Sequence, residues 1–264
     1  MRENIKYYSW DFYVNVKSFF LRASGLLRQR LQNVQRIIIY HHIAPNAVLN
    51  FRRQIEYFAN HYQILSLGDW IKKLENYPAL KEDILCITFD DAFHSVYERA
   101  APILDEYAIK PCIFVPVAFI ENSNMENNGQ KNQHMKILDY SMTWNQLRDL
   151  FQRGYEIGCH SWSHADFGRD HINFDKELNQ SKFRIEHEIG GKICYFAFPF
   201  GRDVNISQEA VEKAYEYGYT KLFSGMRKPV NISHDVLPRL YIDTRWEPGI
   251  LECMLKGYFD VAKE

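Results

Sequence analysis

The chain has 264 residues, a formal net charge of −1 and 46% hydrophobic residues. That length buries a large core in one unit. The near-neutral charge provides no field for a polyanion, so nucleic acid is not an expected partner.

The first 35 residues open with MRENIKYYSWDFYVNVKSFFLRASGLLRQR, where Asp11, Asn15 and Lys17 interrupt the apolar positions. The segment lacks the unbroken apolar core of a signal peptide or a membrane span, so a cytoplasmic location is expected. Residues 1–35 are read as an amphipathic helical extension carrying Lys17, Arg22, Arg28 and Arg30, ahead of one domain over 36–264. Such a basic helix either packs on its own domain or makes a peripheral contact with the inner face of a membrane.

Seven apolar runs follow: RIIIY ending at Tyr40, ILCITF at Phe89, CIFVP at Pro116, YEIGCH at His160, ICYFAF at Phe198, TKLFS at Ser224 and LPRLYI at Ile242. Between them lie helix-period stretches such as FRRQIEYFANHY, SVYERAAPILDEY, TWNQLRDLFQRG, FDKELNQSKFRIEHEI and SQEAVEKAYEYG. Continuous apolar strands separated by helices predict a parallel sheet covered on its outer face. The fold class is therefore α/β, a distorted (β/α) barrel of seven parallel strands, with an open doubly wound sheet as the alternative. The Asn-rich stretch from Glu121 to His134 breaks the alternation and reads as a surface loop near the rim. Cys86, Cys112, Cys159, Cys194 and Cys253 show no metal-type spacing and read as free thiols.

Functional groups of a parallel α/β barrel gather at the C-terminal strand ends. Here Tyr40-His41-His42, Asp90-Asp91, His160 and Pro199-Phe200-Gly201 all fall there. Two adjacent carboxylates repel unless a cation lies between them. His160 and His164, four residues apart in GCHSWSHADF, would share a face if the chain turned helically after the strand. Two histidines and a carboxylate form a facial ligand set for a divalent metal with open positions. Asp91 is the candidate carboxylate ligand. Asp90 is then left as a base beside the metal's water.

With TFDD, HSWSH and FPFG in this order, the sequence resembles the NodB-like polysaccharide deacetylases over nearly the whole span from Arg36 to Ile242. The resemblance implies Asp90 as catalytic base, and Asp91, His160 and His164 as ligands of a divalent metal, usually Zn2+. It implies that Phe200, from a Pro-aromatic motif, offers its backbone N–H to the oxyanion. Two departures are visible. Phe198 and Ala197 stand near the place where most members carry an Arg, and LPRLYI lacks the family's Leu-x-His motif.

A branch with permuted motif order, similar to poly-N-acetylglucosamine deacetylases, places a YH strand before TFDD, as IIIYHHI does here. That makes His41 the candidate general acid and Arg239 the replacement for the missing Arg beside Asp90. His42 is the competing choice, since alternation sends neighbouring side chains to opposite sides. Trp162 either stacks on a sugar or braces its loop. His94 reads as a first-turn helix residue, and Arg202, Arg245 and Trp246 either line the cleft or serve surface and packing.

The implied activity is a metal-dependent hydrolase that removes the N-acetyl group from an amino sugar in a glycan or glycan precursor. Alternatives are an O-acetyl esterase, another amide hydrolase of the same fold, or an inactive glycan-binding homologue.

Overall fold

The computed structural model describes residues 12–21, 33–123 and 139–261. Arg22, Arg28, Arg30 and most of the Asn-rich stretch lie outside the described residues. Helix α1 spans 12–21. The strands are β1 Gln35–Tyr40, β2 Gln63–Leu65, β3 Ile84–Phe89, β4 Cys112–Val115, β5 Glu156–Cys159, β6 Tyr195–Ala197, β7 Lys221–Phe223, β8 Val236–Leu237 and β9 Leu240–Tyr241. The helices between them are α2 Val48–His61, α3 Leu67–Asn76, α4 Ala101–Glu106, α5 Val117–Ser123, α6 Trp144–Gln152, α7 Ser181–Ile189 and α8 Gln208–Glu216, with α9 Pro248–Leu255 after β9. Widened π-helical turns, Val96–Ala100 and Asp175–Gln180, lead into α4 and α7.

All pairings between named strands are parallel, in the order β8-β7-β6-β5-β4-β3-β1-β9, with β2 pairing to the start of β3. The last predicted strand is split. Pro238 has no N–H to donate, and the chain changes partners around it. Leu237 pairs with Phe223 of β7, while Leu240 pairs with Ile38 of β1. Because Pro238 and Arg239 alone separate β8 from β9, the two ends of the sheet are joined and the sheet curls into the expected distorted barrel.

Alternation along the strands sorts the core into two layers. Ile37, Ile84, Cys86, Cys112, Phe114, Ala197, Phe223 and Leu237 cluster with Leu67, Trp70, Ile71 and Leu74 of α3. The intervening residues Ile38, Leu85, Ile87, Ile113 and Val115 pack with the covering helices. Helix α3 thus plugs the barrel at the N-terminal strand ends. Its first amides are satisfied by Glu156, whose carboxylate accepts from Leu67 N at 2.7 Å and Gly68 N at 3.0 Å. The opposite end stays available for chemistry. The five cysteines are free.

Helix α1 buries Val14 and Ser18, and Lys17 donates to the Tyr258 carbonyl at 3.1 Å. Phe12, Phe19 and Phe20 are 72%, 69% and 65% exposed. No described helix is long and apolar enough to cross a membrane.

Candidate active site

Asp90 and Asp91 directly follow β3, His160 follows β5, His41 follows β1, Phe200 lies just beyond β6, and Arg239 sits at the β8–β9 seam. Two of these positions, Asp91 and Phe200, and three residues beside them in the same loops are conformationally strained. Asp91, Ala92, Ser161, His164 and Phe200 have φ of 68°, 48°, 69°, 61° and 62°, a region that non-glycine residues occupy only when their surroundings hold them there.

Asp91 is 1% exposed, and neither carboxylate oxygen receives a hydrogen bond among the described residues. Its Oδ1 lies 3.4 Å from His164 Nε2 and 3.8 Å from His160 Nε2. His160 Nδ1 is 2.7 Å from the Ala197 carbonyl. A carbonyl only accepts, so Nδ1 carries the proton and the Nε2 lone pair is turned toward the carboxylate. Burial pushes the His160 pKa down to about 4, against the upward pull of Asp90. Burial likewise raises the pKa of Asp91, against the effect of His41 and His160. A buried carboxylate without donors, facing a neutral imidazole lone pair, is an expensive arrangement unless a cation satisfies it. One ligand atom from each of Asp91, His160 and His164 lies within 4.8 Å of the others, so these residues fit a divalent metal.

The chain does not turn helically through HSWSH. The loop's backbone groups are taken by neighbours instead of by an i→i+4 ladder. Val117 N and Ala118 N donate to the Ser161 and Trp162 carbonyls at 3.2 and 2.8 Å, and Glu177 accepts from Trp162 N and Ser163 N. The two imidazoles converge through left-handed residues rather than through helical periodicity.

Asp90, 4% exposed, is gripped by Arg239 through two parallel bonds of 2.8 Å, Nη1 to Oδ1 and Nη2 to Oδ2. Arg239 is 1% exposed. Its Nε donates to the Ser224 carbonyl at 3.1 Å, its Nη1 reaches Thr88 Oγ1 at 3.3 Å, and the guanidinium stacks 4.7 Å over the Phe114 ring. Burial alone would raise the Asp90 pKa, but Arg239 and then His160 outweigh it and hold the carboxyl at about 2. The second carboxylate is therefore ionised throughout the physiological range.

His41 and His42 diverge as alternation requires. His41 lies close enough to both aspartates for its charge to bear on each, and its ring meets Tyr241 at 5.7 Å. Its buried Nδ1 has no partner among the described residues. His42 turns to Phe93, with burial lowering its pKa against the pull of Asp139. The Phe200 ring stands edge-on to His164 at 4.8 Å and is 48% exposed.

Trp162 lines a surface groove with Asn179, Gln180, Phe183 and Arg184. His94 stacks on Tyr140 at 4.5 Å, Arg245 pairs with Asp243, and Trp246 is buried. Thr88 and Glu177 touch the site's supports without any sequence signal, because a lone Thr in a strand or Glu in a helix is unremarkable by pattern.

Residues 78–222, which carry Asp90, Asp91, His160, His164 and Phe200, match the polysaccharide deacetylase family. This chain belongs to that family. Family members are metal-dependent deacetylases of polysaccharides, and the Asp-His-His cluster is the candidate metal site here.

Among curated relatives, the deacetylase-family chain is 23% identical over 215 residues to the poly-β-1,6-N-acetyl-D-glucosamine N-deacetylase of Escherichia coli strain K12, covering 69% of this chain and 31% of that protein. The chain thus spans under a third of the length of that relative. Among solved structures, it resembles Streptococcus pyogenes deacetylase PplD in complex with acetate, with TM-score 0.69, 19% identity, and coverage of 86% and 99% of the two chains. IcaB from Ammonifex degensii aligns with TM-score 0.65 and 18% identity over 86% of this chain and 100% of its own. These structural likenesses establish the shared fold.

Proposed function

We propose that the chain hydrolyses the N-acetyl group of an amino sugar in a glycan or glycan precursor, with Zn2+ as the ion at Asp91, His160 and His164. The observation that carries this is the pairing of two unlike carboxylates. Asp91 is buried without donors beside two imidazoles, and Asp90 is clamped in ionised form by Arg239. When bound, the ion supplies Lewis acidity toward the acetyl carbonyl and a lowered pKa for the attacking water.

The chain's own residues divide the remaining work. Asp90 accepts the proton of the attacking water. The backbone N–H of Phe200, for which no partner is found among the described residues, donates to the developing oxyanion. His41 returns a proton to the departing sugar amine, a role favoured over His42 by its electrostatic contact with both aspartates. Trp162 offers a face to a neighbouring sugar.

The test is acetate release from N-acetylated oligosaccharides by Zn2+-loaded protein. Asp90→Asn should lower kcat by about 10²–10⁴-fold while leaving Zn2+ affinity intact. Release from O-acetyl esters alone would favour an esterase. Glycan binding unaffected by Asp90→Asn, without release from any substrate, would favour a binding protein.

We further propose that α1 contacts the anionic inner face of a membrane, which suits a cytoplasmic protein. In support, Phe12, Phe19 and Phe20 point outward instead of into the domain. The basic residues Arg22, Arg28 and Arg30 follow in the sequence. Sedimentation with phosphatidylserine vesicles should carry the protein down, and Phe19→Asp with Phe20→Asp should release it. Equal recovery of both proteins in the supernatant would dismiss the contact.

A further inference from the structure

We propose that Glu177 is a positioning residue for the metal site, holding the loop that delivers His164 against Asp91; this rests on the metal site proposed above. Glu177 is 6% exposed. Its Oε2 accepts from Trp162 N at 3.0 Å and Ser163 N at 2.9 Å, and its Oε1 accepts the Ser163 hydroxyl at 2.8 Å. Among the described residues no cation pairs with it, so these three neutral donors alone offset the cost of burying the carboxylate. All three belong to residues between His160 and His164.

The loop needs such an anchor. Ser161 and His164 flank the anchored pair with φ of 69° and 61°, conformations that relax unless their neighbours are fixed. The same helical turn also reaches the other ligand. At the first residue of α7, directly after the π-widened segment Asp175–Gln180, the Ser181 hydroxyl donates to the Glu177 carbonyl at 2.6 Å, and Cys159 Sγ donates to Ser181 Oγ at 3.2 Å. Cys159 immediately precedes His160. One turn of helix therefore backs both histidines, gripping the His164 side through the Glu177 carboxylate and the His160 side through Ser181.

The test is Zn2+ affinity of the metal-free chain, measured by competition with a chromogenic chelator, together with the visible spectrum of the Co2+-loaded protein. Glu177→Ala should weaken Zn2+ binding by about 10–100-fold, the range typical for losing a residue that supports a metal ligand. It should also alter the Co2+ bands. Ser163→Ala, which removes one of the three bonds, should lose less, and Lys176→Ala should bind as the parent does.

A merely structural role would lower the melting temperature while leaving affinity and Co2+ bands unchanged in the folded variant. That result overturns the proposal. If Glu177→Ala does not fold, the near-isosteric Glu177→Met decides, because its side chain offers no oxygen to the loop's N–H and O–H donors. A parent chain that binds neither ion refutes the metal site itself. A parent that binds, beside an unaltered Glu177 variant, refutes only the anchoring role.

Discussion

Arg239 and Asp90 present a planar fork to a planar carboxylate, a match that lysine cannot reproduce with a single ammonium. Both side chains are buried, so removing one partner strands the other. Arg239→Ala should cost about 3–5 kcal/mol, read as a lowered urea midpoint in the metal-free protein. The pair also sets an acid limit. Asp90 moves from 3.8 when unfolded to about 2 when folded. Its contribution is therefore fully present above the unfolded value and is lost as the pH falls through the folded one. That contribution is on the order of 2 kcal/mol. Urea unfolding of the metal-free protein between pH 5 and pH 2.5 should show this decline, and Arg239→Met should flatten the part that belongs to Asp90. At this scale much of the site was legible. Adjacent aspartates after a strand, taken together with two histidines after another, point to the candidate cation site by chemistry alone. Arg239 was legible only through resemblance to a family that needs an Arg there, and Glu177 was not legible at all.

Helix and strand boundaries respond to local chemistry. Gly190 ends α7 at φ 70° with open space around it, and Gly201 follows Phe200 at φ 65°, where an added Cβ would lie 2.2 Å from Gly225 N. Gly190→Ala should therefore cost only the backbone strain, about 1–2 kcal/mol. Gly201→Ala should cost more in the same urea assay and should lower acetate release, because the displaced turn carries Phe200. Elements with strong periodicity or clear caps were readable in advance. Ser66, Thr143 and Ser207 cap α3, α6 and α8 with side-chain acceptors. The three-residue β2 has no period to read, and the partner change at Pro238 reads in sequence as one strand. The HSWSH loop misled in another way. Its four-residue spacing imitates a helix, while its actual geometry depends on partners outside the motif, in α5 and at Glu177, 14 positions beyond Ser163.

For the whole molecule, metal and fold are linked wherever the ion binds only the folded state. At a free Zn2+ concentration of 100 times the dissociation constant the stabilisation is about 2.7 kcal/mol. Chelation should consequently lower the melting temperature by about 5–10 °C, and His160→Ala should abolish that dependence. The barrel itself was legible because strands buried on both faces leave long apolar runs, as in β3, where all six positions are buried. The split of its final strand was not, since that depends on which edge each half finds. The seam has one more consequence, in time rather than space. Arg239 is synthesised 149 positions after Asp90. At about 5–20 residues per second that is a wait of about 7–30 s. Asp91, His160 and His164 have all left the ribosome well before then. A nascent chain stopped short of the seam carries every proposed metal ligand and an aspartate still lacking its counter-ion, so the paired state of Asp90 marks a completed barrel.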